Sequence, residues 1–197
     1  MIEITVDDLL KQVMSGKDPE YQARMMHKIP EAPVVNRNEA IINAVKGRIA
    51  LELGCAESKL STLLDEIAKK LYGMDKVECQ GENFIQVDFD KDEIPLLEDV
   101  EVIICGEVIE HLSNPGFFLD NLRKYKCHTL FTVPNALTTI GLQHARKGFE
   151  NVNKDHVAYY SWKTFTTLLE RHKWQIDYFW WYNGEPVIAE GLIFLAR

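Results

Sequence analysis

From about residue 48 onward the chain alternates between short apolar runs and amphipathic stretches, and this alternation limits its fold more than any other feature. RIALELG (48–54) is apolar and stops at Gly54, as a buried parallel strand would. SKLSTLLDEIAKK then sets Leu60, Leu63, Leu64 and Ile67 on one helical face, with Ser58 as the expected N-cap. Further strands are expected at KLYGMD (70–75), FIQVDFD (84–90), 100–105 and CHTLFTVPN (127–135), and helices at NPGFFLDNLRKY and SWKTFTTLLERHKW. QIDYFWWYN (175–183) and GLIFLAR (191–197) close the chain as a β pair whose short link suits antiparallel pairing. The order is βαβ repetition with right-handed crossovers, hence a three-layer α/β domain over 48–197. Residues 1–47 hold helical stretches at 6–15, 20–28 and 37–46, broken by Pro19, Pro30 and Pro33. They are expected to form a helical arm or lid.

In such sheets ligands gather outside the carboxyl ends of the strands, so the residues at those ends carry the information. The first run ends in ELGCAES, where small residues at 54, 56 and 58 let a β–α turn approach a ligand closely. The next ends in Asp75, about 20 residues later, where a carboxylate can accept two hydrogen bonds from a ribose diol. The third reaches Asp88, placed to accept from an exocyclic amine such as that of adenine. No GK[ST] phosphate loop is present, which argues against an ATPase.

Charge narrows the ligands further. Residues 75–111 carry 2 Lys/Arg against 12 Asp/Glu, a net of −10 in a chain of net −8. A segment this acidic repels phosphate backbones, so nucleic acid is disfavoured as a partner, whereas a cationic cofactor is welcome. No apolar run approaches the roughly 18 residues of a membrane span. The start MIEITVDDLL has no basic leader. Cys55, Cys79, Cys105 and Cys127 are too far apart for a zinc knuckle. They read as reduced thiols, and a cytoplasmic enzyme with no membrane contact is expected.

The set ELGCAES, YGMD, VDFD and GEVIEHLSNP, followed by FTVPN and DHVAYYS, resembles the class I S-adenosylmethionine-dependent methyltransferases, nearest to the small bacterial type 11/23-like group. The resemblance covers about 48–197, and E-V-I-E-H-L and H-V-x-x-Y-S are its most specific parts. It implies a Rossmann-like three-layer sandwich with a mostly parallel seven-stranded sheet and an antiparallel C-terminal strand pair. It also implies S-adenosyl-L-methionine as cofactor and S-adenosyl-L-homocysteine as product. Glu52 and Gly54 would lie against the methionine moiety, Asp75 would hold the ribose, Asp88 and Phe89 the adenine, and Gly106–Glu107 the wall beside the sulfonium. Cys55, Ala56, Lys76 and His111 complete the expected cofactor-binding set. Ala56 and Ser58 replace family glycines but stay small. Only eight residues, 76–83, join the second and third strands, so that crossover helix is expected to shrink to a turn.

His111 and His156 are the expected catalytic residues, as general bases on a poor nucleophile such as a hydroxyl. The acceptor is expected to be a small molecule methylated on O or N, with a sugar or glycan precursor as the example. Glu107, Glu110, His111 and His156 also match, position for position, the cation-binding set of small-RNA 3′-terminal 2′-O-methyltransferases. The same E-V-I-E-H string occurs in metal-free relatives and the chain lacks a basic track, so no metal ligand is assigned. That enzyme and a non-catalytic cofactor-binding protein are the alternatives. The 136–155 segment is expected to cover the acceptor pocket, with His144, Arg146 and Lys147 either meeting an anionic substrate or solvated, and Tyr159, Tyr160, Trp162, Trp180 and Trp181 are candidates to line it or to be core. Cys105 is read as packing.

Overall fold

In the computed structural model, which describes residues 27–56, 59–78 and 82–197, the apolar runs assemble into one eight-stranded sheet. The strands are β1 (Val34–Val35), β2 (Ile49–Leu53), β3 (Lys70–Asp75), β4 (Phe84–Gln86), β5 (Val102–Gly106), β6 (His128–Pro134), β7 (Ile176–Tyr182) and β8 (Gly191–Ala196). Their order is β1-β7-β8-β6-β5-β2-β3-β4. Only β8 runs against its neighbours β6 and β7; every other pairing is parallel. The expected mostly parallel sheet with its antiparallel C-terminal pair is present, and the eighth strand is the two-residue edge β1. Among the described residues no helix is long and apolar enough to cross a membrane.

Among the described residues five helices flank the sheet: α1 (Arg37–Val45), α2 (Lys59–Ile67), α3 (Pro115–Leu122), α4 (Thr139–Ala145) and α5 (Trp162–Arg171). On one face Ile41 and Val45 of α1 and Leu64 of α2 pack with Ala50, Ile104, Leu130 and Ile193. On the other, aromatic rings interlock: Phe131 meets Phe165 and Trp174, and Phe165 meets Phe194. Side chains alternate across a strand, so β2 sends Ala50 and Glu52 to the α1/α2 face.

The chain divides into two units, Met1–Pro30 and Glu31–Arg197. Of the first, only residues 27–30 are described, and they carry no regular structure. The helices expected at 6–15 and over most of 20–28 lie outside the described residues, as does the Ser58 cap. The expected boundary at 47/48 falls within the second unit. Residues 31–47 belong to the sheet unit because β1 pairs with β7 and because Ile41 and Val45 are fully buried in its core. Asn36, whose side chain accepts from the Glu39 N–H, starts α1.

The expected strand at 84–90 is cut to three residues. The Asp88 carboxylate accepts from the Asp90 N–H and from Lys91, and the Asp88 N–H donates to Asp92, so a local turn takes over the backbone groups a longer strand would need. β3 and β4 are parallel neighbours across the short link 76–83. Its described residues form no helix or strand.

Candidate active site

The carboxyl ends of β3, β2, β5 and β6 lie side by side: Leu53 is in register with Met74 and Cys105, and Gly106 with Thr132. The turn after β2 is built around Gly54, at φ +72°, whose N–H donates to the Met74 carbonyl. A Cβ there would stand 2.4 Å from Val108 Cγ2, so the close approach needs glycine. Cys55 is buried with its sulfur over Gly73 of the next strand. The Asp75 carboxylate lies beneath this turn. Oδ2 accepts from the Ala56 N–H at 2.9 Å and Oδ1 from the Val77 N–H at 3.0 Å, and each oxygen can accept a second bond.

Glu52 is 6% exposed. Its Oε1 accepts from Ser61 Oγ at 3.0 Å, and its buried Oε2 has no hydrogen-bond partner. Burial pushes its pKa up to about 7, with the Ser61 hydroxyl and the Arg37 charge opposing the rise. A carboxyl group here gains by meeting a cation.

A second cluster follows β5. Glu107 adopts φ +58°, in the left-handed region that costs a non-glycine residue free energy. Its N–H donates to the Thr132 carbonyl. The 3₁₀ turn Ile109–His111 then carries Glu110 inward until it is 1% exposed. Neither of its carboxylate oxygens has a hydrogen-bond partner. Burial, with Glu107 nearby, raises its pKa to about 8. His111 Nδ1 lies 3.0 Å from the Asp155 carbonyl, and its ring meets that of His156 edge-on, centroids 4.6 Å apart. The loop bearing His156 is tied down by the Val157 and Ala158 N–H groups, which donate to the Glu110 carbonyl. Burial, and the proximity of His111, hold the His156 pKa below its ordinary value. One ligand atom each from Glu110, His111 and His156 lies within 4.8 Å of the others.

The structure thus gathers Gly54, Ala56 and Asp75 at one turn, and Glu110, His111 and His156 at another, next to Glu107. It does not do the same for Asp88, which is engaged by Lys91 and the Asp90 N–H, or for Phe89, buried against Phe118 at 5.3 Å. Lys76 is exposed, and its carbonyl accepts from Gln86. Trp181 is a core residue, and Trp180 lines a cavity with Val35, Ala44 and His128 at the start of the strands, away from the site. Cys105 is fully buried, and burial holds its thiol protonated. α4, in the segment expected to cover the acceptor pocket, has no buried residue, and Ile140, Leu142, Phe149 and Val157 are exposed.

Two residues of the cluster escaped sequence reasoning. Arg37, assigned there to the arm, places Nε 3.0 Å from Thr132 Oγ1 and 3.8 Å from Glu107 Oε1. Tyr182, read only as part of a strand, donates its hydroxyl to Glu107 Oε1. The position of Arg37 at a helix start was a weak signal. Tyr182 had none, because its place depends on the register of β7 against β8.

A family model described as a methyltransferase domain matches residues 21–178. No curated protein matches the sequence. Among solved structures the chain is similar to the small RNA methyltransferase HEN1, with TM-score 0.64 and 18% identity over 87% of this chain. It spans only 27% of the HEN1 chain. It is also similar to an S-adenosylmethionine-dependent methyltransferase from Mesorhizobium loti (TM-score 0.60, 14% identity, 81% of this chain and 95% of that one). A third is 1,6-didemethyltoxoflavin-N1-methyltransferase from Burkholderia thailandensis, crystallised with 1,6-didemethyltoxoflavin and S-adenosylhomocysteine (TM-score 0.59, 13% identity, 97% and 85%). At these identities the likenesses establish the fold.

Proposed function

The chain belongs to the methyltransferase-domain family matched over residues 21–178, enzymes that take their methyl group from S-adenosyl-L-methionine, and we propose that its acceptor is a hydroxyl on the vicinal diol of a small, sugar-like molecule, activated by a divalent cation. The observation that carries this reading is Glu110. A carboxyl group 1% exposed, with both oxygens unpartnered and two imidazoles beside it, lacks the partner that buried polar groups normally have. A divalent cation fits the place. Carboxylate and imidazole are ordinary ligands for it, and donors about 2.0–2.2 Å from a small ion lie within about 4.4 Å of one another. The 4.8 Å spread therefore needs only small side-chain rotations to close. The sequence analysis assigned no metal; the burial of Glu110 favours the cation, which there belonged only to the RNA-methyltransferase alternative.

On this reading the gathered Glu110, His111 and His156 hold the ion, and Glu107, the remaining member of the matched set, supplies a further oxygen. The two histidines keep their place at the reacting end but act as ligands in place of general bases. When bound, such an ion polarises the diol oxygens and lowers the pKa of the hydroxyl to be methylated. The chain's own contribution is position. Asp75, fixed by the Ala56 and Val77 amides, accepts from the cofactor's ribose hydroxyls, and the Gly54 turn lets the methionine end come close. Glu52 supplies negative charge to that end. Aligning acceptor oxygen, methyl and sulfur in one line supplies much of the rate.

The net charge of −8 supports a small acceptor over a polyanion. The likeness to HEN1, a small RNA methyltransferase, favours a second source of the same chemistry, a ribose of an RNA. The test offers the purified protein S-adenosylmethionine with ribonucleosides, free sugars and a short RNA, with chelator and with Mn²⁺ added back, and follows methyl gain by mass spectrometry. Turnover should vanish with chelator, return with Mn²⁺, and disappear for 2′-deoxy acceptors. Full turnover in chelator would refute the cation reading, and methylation of RNA alone would move the acceptor to the second source.

A further inference from the structure

Two side chains grip Glu107 without belonging to the ligand set proposed above. Tyr182, the last residue of β7 and only 4% exposed, donates its hydroxyl to Glu107 Oε1. Arg37, the first residue of α1, places Nε 3.8 Å from the same oxygen while donating to Thr132 Oγ1 at 3.0 Å. Thr132 also anchors the Glu107 main chain through its carbonyl. Both contacts fall on Oε1, and Oε2 has no partner among the described residues.

Each gripping side chain occupies space that a glycine vacates. Gly191 faces Tyr182 across the β7–β8 pairing, and a Cβ on it would stand 2.0 Å from Tyr182 Cζ, inside the ring. Gly106, at the end of β5, would put a Cβ 3.0 Å from Arg37 Nη2. The carboxylate so held is 36% exposed, on a residue at φ +58°. A solvated carboxylate needs no buried phenol to satisfy it, and a strained backbone persists only where its surroundings impose it. Two donors meeting on one oxygen of such a group fix its direction.

We propose that Tyr182 and Arg37 are positioning residues that clamp Glu107 through Oε1 and reserve Oε2 for the divalent cation, with Gly191 and Gly106 as the room that the clamp requires. The proposal rests on the cation reading above. Partners that orient a metal ligand in this way typically change affinity by about 10–100-fold when removed.

The test is Mn²⁺ titration by calorimetry of the full chain freed of metal, without cofactor or acceptor, for wild type, Y182F, R37Q, E107Q and Y182F/E107Q. Circular dichroism melts confirm that each variant is folded. Y182F and R37Q should each weaken Mn²⁺ binding by about 10-fold or more. In the E107Q background Y182F should have no further effect, because Tyr182 acts only through that carboxylate. Wild type that fails to bind Mn²⁺ would overturn the cation reading and the clamp together. Wild-type affinity in both Y182F and R37Q would overturn the clamp alone, and so would a Y182F loss of equal size in the E107Q background. Should Y182F not fold, R37Q and R37Q/E107Q decide by the same criteria.

Discussion

Replacing Glu52 by glutamine should change how stability depends on pH. In the folded protein burial raises the Glu52 pKa from the ordinary 4.5 to about 7. Below pH 4.5 the group is protonated whether the chain is folded or not, and it contributes no pH dependence. Between 4.5 and about 7 the unfolded chain releases the proton while the folded chain keeps it, so stability falls as pH rises. Above 7 both states are ionised and the full penalty is in place. At 1.36 kcal/mol per decade the gap is worth about 3 kcal/mol. Glutamine keeps an oxygen for the Ser61 hydroxyl but cannot ionise. Its NH₂ replaces the unpartnered Oε2, which costs about 1–3 kcal/mol at every pH. The variant should therefore begin less stable than wild type at pH 4.5 and gain about 3 kcal/mol on it by pH 8. Urea unfolding at intervals between pH 4.5 and 8 measures both curves. Two curves that stay parallel would refute the burial argument.

Other substitutions test separate links. Asp75→Ala should weaken S-adenosylhomocysteine binding by about 1.5–3 kcal/mol, measured calorimetrically, the scale of hydrogen bonds to a charged group. Unchanged affinity would remove Asp75 from the cofactor site. Gly54→Ala meets both the positive φ and Val108 at 2.4 Å, and should cost at least about 1–2 kcal/mol. A melting temperature equal to wild type would show that the turn relaxes freely. Ile41→Ala should destabilise by about 2–5 kcal/mol in denaturant titration, since α1 is part of the core. A cost near zero would return α1 to the status of an arm.

The architecture was legible because periodicity reports burial directly, and each apolar run from 48 onward had to be a strand or a helix face. Asp75 stood out in the sequence as a carboxylate ending a buried strand, and the structure sets it against the Ala56 and Val77 amides. Contacts between distant elements were harder to see. Asp88 looked like Asp75 in the sequence, yet Lys91 and the Asp90 amide, both local, claim its oxygens. Pro30 and Pro33 suggested an arm or lid laid on the domain, whereas Ile41 and Val45 are core residues, as only the partner surfaces could reveal. The aromatic run at 179–182 divides between core, cavity and site according to strand parity and register, so Trp181 and Trp180 went elsewhere while Tyr182 reached Glu107. The motif E-V-I-E-H was visible from the start. What it could hold depended on whether Glu110 was paired, and pairing is not written in one sequence.

Glu52 and Glu110 share a situation that carries one last consequence. Each is a buried carboxyl group at the ligand end of the sheet with at least one oxygen unpartnered, and each has its pKa raised by burial. Arg37 is the cation acting on both, and it already serves Thr132 and Glu107. Without ligands, the fold therefore keeps two acids at the site short of positive charge. The cofactor's cationic methionine end and a divalent ion would supply that charge at separate places, so each should stabilise the protein alone and the two together more. A ligand at about 100 times its Kd contributes about 2.7 kcal/mol. For a chain of this size that is roughly 5–11 °C in Tm, since each kcal/mol is worth about 2–4 °C. Thermal melts with S-adenosylmethionine, with Mn²⁺ and with both should show shifts that add. In Glu52→Gln the S-adenosylmethionine shift should shrink and the Mn²⁺ shift persist. If the two shifts shrink together, the carboxyl groups act as one site, and the division of the strand ends between cofactor and cation would have to be abandoned.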